Sequence, residues 1–184
     1  MQMILDEEEF MLSFKQIAAL SYEEFVENAE QLYDTIVAFE IPENPEPREV
    51  NARLSGIDTL RGFVTRYSMV INPQFLKLEY IYKTTKDYHL TGCNAEARKS
   101  NAMGVILSFM MDVETYKKIY MKLPDNIEKN DGINCTRVNL MDLISEAEQK
   151  RSMISHMASM IERKHEAMKS MSYLVHEEQK VANG

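Results

Sequence analysis

Tryptophan is missing from this 184-residue chain, and cysteine, proline and glycine are scarce, at two, five and six residues. Cys93 and Cys135 lack CxxC spacing and are too few for a disulfide framework, so reduced thiols are expected. No glycine-rich phosphate loop, dinucleotide fingerprint, Walker pattern or GxSxG is present, so catalysis and a cofactor have no support and a non-enzyme is expected. Long apolar runs are missing too: nothing reaches the roughly 18 uninterrupted residues of a membrane span. The apolar start from Met1 to Leu5 has no basic lead and meets Asp6, Glu7, Glu8 and Glu9, unlike a signal peptide. These absences predict a cytoplasmic protein, or one within a virus-infected cell or virion, with no membrane partner.

What is present suits one soluble domain: 45 % apolar and 27 % charged residues, in a length that buries roughly 70 % of its unfolded surface when compact. The net charge of −8 is unevenly spread. Residues 1–50 hold thirteen acidic and two basic side chains, net −11, whereas residues 51–184 are net +3. A solvated acidic helix pair explains this, as does an acidic arm that docks on a basic partner or shields the body's own basic surface.

Phe10, Phe14, Ile17 and Ala18 recur at helical spacing behind the acidic run, predicting a helix over 6–20. Ser21 and Glu24 have capping-box spacing, and Tyr22, Phe25, Ala29, Leu32, Tyr33 and Ile36 form the stripe of a second helix to about Glu40. Three prolines within 42–47 break the chain where its charge changes sign. The expected organisation is therefore an acidic helical arm over 1–41, a proline-rich hinge over 42–47 and a helical bundle over 48–184.

In that bundle, Val50, Leu54, Ile57, Leu60, Val64, Tyr67 and Ile71 predict a third helix over 48–71, and Asn72-Pro73 reads as the cap of a fourth. Leu76, Leu78, Tyr80 and Tyr82 alternate like a strand, but no second strand is evident to pair with them, so helix is preferred. A fifth helix is expected from Ala95 to Leu123, with Gly104 inside it and Pro124 ending it; Asp125 to Arg137, containing Asp131-Gly132, reads as an exposed loop.

The last segment carries most information. Leu140, Leu143, Ala147, Lys150, Ile154, Met157, Ile161, Lys164, Met168, Met171 and Val175 step by three and four without interruption, a heptad seam on a helix over 139–178. Such a helix extends about 60 Å, longer than a compact domain of this size usually is across. Met153, Met160, Ala167 and Leu174 line a second stripe beside the seam, making the apolar face wider than a two-helix zipper requires. Bundle core is the plain interpretation. Methionine's adaptable thioether, with Lys150 and Lys164 as polar seam residues, points instead to a contact between chains.

Glu162-x-x-His165 has the spacing of di-iron carboxylate bundles, but no second such pair exists, so no metal is expected. His89 and Cys93 flank Gly92 without an orienting third residue and read as a turn with a buried cysteine. Lys77, Lys83, Lys86, Arg98 and Lys99 interleave with Tyr80, Tyr82 and Tyr88, a combination that contacts phosphates and stacks bases. A helix, the turn from Tyr88 through Thr91 to Gly92 and a long following helix are loosely similar to the small helical recombination mediators of T4-type phages. The likeness covers about half the chain and carries over no functional residue.

The sequence thus predicts an all-α fold, a bundle of five to six helices with a long coiled-coil-like C-terminal helix and an acidic N-terminal helical arm. The expected function is a non-catalytic assembly or adaptor protein, such as a phage or bacterial accessory component. It would meet a protein partner or a second copy through Ile154, Met157, Ile161, Met168 and Met171, flanked by Met153 and Met160. The alternative is a nucleic-acid-binding accessory factor contacting single strands through Lys77, Lys83, Lys86, Tyr88, Arg98 and Lys99, with the acidic arm limiting access.

Overall fold

The computed structural model describes residues 12–182 apart from residue 44, with side chains to residue 177. Six helices and one small three-stranded sheet make up the described residues. They are α1 (Phe14–Ala19), α2 (Tyr22–Ala38), α3 (Pro47–Tyr88), α4 (Ala95–Leu107), β1 (Phe109–Asp112), α5 (Val113–Tyr120), β2 (Glu128–Asn130), β3 (Ile133–Val138) and α6 (Leu140–Ala182). The fold is a helical bundle with a long C-terminal helix, and none of the described helices is long and apolar enough to cross a membrane.

Of the expected first helix over 6–20, residues 6–11 lie outside the described range, Leu12 and Ser13 are not helical, and helix is found only as α1, because Ser13 takes an extended conformation and caps a new start at Phe14. Ser13 caps α1: its hydroxyl accepts from the Gln16 amide at 3.3 Å while the Gln16 side chain accepts from the Ser13 amide at 2.8 Å. Ser21 and Glu24 make the same reciprocal pair at the start of α2, as their spacing predicts. The acidic residues Glu23, Glu24, Glu27, Glu30 and Asp34 are exposed on α2, and Phe25, Ala29, Leu32 and Ile36 are buried. Here the negative charge marks the solvated side of an amphipathic helix.

Helices three and four of the sequence reading are one helix. Pro73 sits inside α3 with its ring on the exposed side. A proline there removes one backbone hydrogen bond and costs about 3 kcal/mol. The buried stripe nevertheless continues through Val64, Tyr67, Ile71, Phe75 and Leu78, at about 1.5–3 kcal/mol for each large apolar side chain. Burial on both sides of Pro73 outweighs its penalty.

The expected fifth helix over 95–123 is divided into α4, β1 and α5, which also removes the long helix on which the likeness to recombination mediators rested. Ala102, Val105, Phe109, Val113 and Tyr116 satisfy a helical period, but Phe109 to Asp112 pair antiparallel with β3, Phe109 opposite Val138 and Asp112 opposite Cys135. Asp112 then restarts helix by accepting from the Thr115 amide at 2.8 Å. The expected loop from Asp125 to Arg137 holds a hairpin instead: β2 and β3 are joined by Asp131 and Gly132, with φ of 48° and 82°, the left-handed pair of a tight two-residue turn. Sheet order is β1-β3-β2.

Two compact units emerge. Unit 1 holds Val26–Ser68 and the part of α6 from Ser152 onward; unit 2 holds Leu12–Phe25 and Met69–Arg151. The proline-rich stretch 42–47 therefore joins two helices of the same unit. Unit 1 buries Ala29, Leu32 and Ile36 of α2, Ile57, Leu60 and Val64 of α3, and Ile154, Met157, Ile161 and Met168 of α6. Phe39 lies so close on α3 that a Cβ at Gly56 would come within 2.8 Å of its ring. Unit 2 packs Phe75 and Leu78 of α3, Ile106 of α4, Met111 of β1, Ile119 of α5 and Leu140 and Ala147 of α6 into one core.

Candidate protein-interaction site

Asn139 starts α6 by accepting from the Met141 and Asp142 amides at 3.0 and 3.4 Å, and the helix runs 43 residues, about 64 Å. The seam divides along this length. Ile154, Met157, Ile161 and Met168 are each 4 % exposed or less and belong to the core of their own unit. Met171 and Val175 are half-buried. The second stripe is not enclosed: Met153, Met160 and Ala167 are half-buried and Leu174 is 61 % exposed.

Both seam lysines have partners within the chain. In unit 2 the Lys150 ammonium reaches the carbonyl oxygens of Leu20 and Ser21, each at 3.4 Å, and lies 5.2 Å from the centre of the Phe25 ring. Burial lowers its pKa, opposed by the nearby Glu146 carboxylate. In unit 1 Lys164 donates to the carbonyl oxygens of Phe39 at 2.6 Å and Val37 at 3.4 Å, where α2 has just ended and carbonyls are left without intrahelical partners. Its pKa is lowered by burial as well.

Beside the stripe, unit 1 has an open cleft of about 430 Å³ between α2 and α6. Tyr33 and Glu30 form one wall, Met153 and His156 the other, and Met157 lies at the bottom. The Tyr33 and His156 rings stack at 5.9 Å with 22° between their planes. The structure thus joins Met153 and Met157 to two aromatic groups, Tyr33 and His156, that are not among the residues expected at this site. Tyr33 follows Leu32 by one residue, about 100° round the helix, so its place at the edge of the α2 stripe was the available signal.

Glu162 pairs with Arg61 at 2.9 Å, and His165 is buried with its Nδ1 4.0 Å from Glu162. Among the described residues no cluster of three or more His, Cys, Asp or Glu could hold a metal ion. Cys93, expected to be buried, is exposed.

The nucleic-acid candidates are all exposed. Tyr88 is 79 % accessible, and Lys77, Lys83, Lys86, Arg98 and Lys99 all reach solvent. They do not share one face. Lys77 and Lys83 are six residues apart on α3, about 120° around the axis, and Lys86 turns back over the Tyr82 ring at 5.6 Å. Neither a protein-family model, nor a curated protein, nor a solved structure matches the chain.

Proposed function

We propose that the chain is a non-catalytic assembly protein that self-associates through the second stripe of α6. One observation carries this reading: among the described residues, the apolar face of α6 is wider than the rest of the chain covers. Met153, Met160, Ala167 and Leu174 remain partly or largely exposed after the seam beside them is buried. These four are spaced by sevens, the period at which one helix presents a continuous line to another. Tyr173 beside Leu174 is 68 % exposed and widens the patch. Two copies laid stripe to stripe would meet from Met153 to Leu174, about 32 Å of helix, without help from the seam.

The experiment is light scattering on the full chain and on a variant carrying Met153→Glu, Met160→Glu and Leu174→Glu. A mass above one chain that falls to one chain in the variant supports the reading, and a single-chain mass for both defeats it. The second reading, single-strand binding, is favoured by the exposed Tyr88 and the cations on α3 and α4. It predicts binding of a single-stranded oligonucleotide that weakens steeply with salt and is lost in a Lys83→Ala, Lys86→Ala, Arg98→Ala variant.

A further inference from the structure

Unit 2 carries an apolar surface of its own. A groove of about 360 Å³ opens between Phe14 of α1, Met69 and Pro73 of α3, and Ile119 and Met121 at the end of α5. Its walls are tied together. The buried side chain of Gln74, on α3, donates to the carbonyl oxygens of Ala18 at 3.1 Å and Ile119 at 2.8 Å, fixing α1 and α5 against α3. A groove held in shape this way needs little ordering to receive a ligand. Two of its ten lining residues are cations, Lys77 and Lys118, and none is an acid.

The apolar surface continues beyond the groove along α3. Met69, Pro73, Leu76 and Tyr80 follow one another at steps of four, three and four, with Met69 62 %, Leu76 58 % and Tyr80 70 % exposed. The line covers about three turns, roughly 16 Å. Steps of three and four are what a helix offers to a second helix packed along it. A small molecule seated in the groove would leave Leu76 and Tyr80 in water, and a nucleic acid could stack on Tyr80 but would leave Met69, Pro73 and Leu76 unused.

We propose that this face docks an amphipathic α-helix of a partner protein, with apolar anchors in the groove and along Leu76 and Tyr80, and carboxylates meeting Lys77 and Lys118. The mode is helix-in-groove recognition, with charge setting which helix is accepted.

The test uses the full chain and a dye-labelled amphipathic peptide of about 18 residues, five helical turns. Leucines lie on one face of the peptide and glutamates flank them; two controls replace the glutamates with glutamine or with lysine. Fluorescence anisotropy should show the acidic peptide binding about fivefold more tightly than the glutamine peptide, and still more tightly than the lysine peptide, with the advantage shrinking as salt rises. Leu76→Glu with Tyr80→Glu, both at exposed positions, should weaken binding at least about tenfold. Lys77→Glu with Lys118→Glu should reverse the charge preference. The α6 variant Met153→Glu, Met160→Glu, Leu174→Glu should bind as the parent does, so failure of the self-association reading leaves this result intact. No binding, equal binding of acidic and lysine peptides, or binding indifferent to Leu76→Glu and Tyr80→Glu would overturn the proposal. So would Leu76-dependent attachment to vesicles containing phosphatidylserine in place of the peptide.

Discussion

The Lys164 ammonium lies 2.6 Å from the carbonyl oxygen of Phe39, so a cation on the apolar seam of α6 is held by the backbone at the end of α2. A polar residue in a heptad seam commonly selects the register between chains. Here it satisfies carbonyls of its own chain. Lys164→Ala removes the donor and leaves the Phe39 and Val37 carbonyls to find water, a loss of about 1–2 kcal/mol. In thermal unfolding this is a fall of several degrees; an unchanged midpoint would show that the contact adds nothing.

Burial of Glu146 raises its pKa above 4.5, with Glu23 and Asp142 adding to the rise and Lys150 opposing it. A carboxyl whose folded pKa exceeds its unfolded value holds more protons when folded, so its contribution declines as pH climbs from 4.5 through the folded pKa. Glu146→Gln should remove that decline. The check is denaturant unfolding at a series of pH values from 4.5 upward: parent and variant curves should diverge with rising pH, with the variant the more stable of the two.

Gly132 has a φ of 82°, and an added Cβ there would meet nothing within 4 Å. Gly132→Ala therefore tests conformation alone. A left-handed non-glycine residue costs about 1–2 kcal/mol, equivalent to a fall of roughly 2–8 °C in melting temperature for a protein of this size. A neutral result would mean that the hairpin turn is not the one described.

Pro73→Ala restores an amide donor in the middle of α3 without disturbing the core, because the ring is on the exposed side. The melting temperature should rise, by as much as about 3 kcal/mol of added stability. If α3 really ended at Asn72, the same change would be neutral or harmful.

How much of this was legible depends on what each signal specifies. The three-and-four spacing from Leu140 to Val175 fixes a helix and its apolar face, and both are found. The same spacing does not say whether the covering helix belongs to the same chain, so Ile154, Met157, Ile161 and Met168 read equally well as interface or core, and they are core. Leu76, Leu78, Tyr80 and Tyr82 alternate because Leu78 faces the unit 2 core while Leu76 and Tyr80 face solvent, a pattern a helix produces when its two sides are unequally covered. Phe109 to Asp112 form a strand through pairing with β3, whose partner residues, from Val138 back to Cys135, are too far along the chain for local periodicity to reveal. Tyr33 and His156 meet across two helices far apart in sequence, and nothing local places them together.

On the proposed function, α6 gives its seam to its own chain and its second stripe to another copy. Hydrogen exchange of the full chain at low and high protein concentration tests both halves at once. Amides from Leu140 to Met168 should be strongly protected at every concentration, while those around Met171 to Leu174 should gain protection as concentration rises. Loss of protection from Ile154 to Met168 on dilution, or no concentration dependence around Leu174, would contradict it.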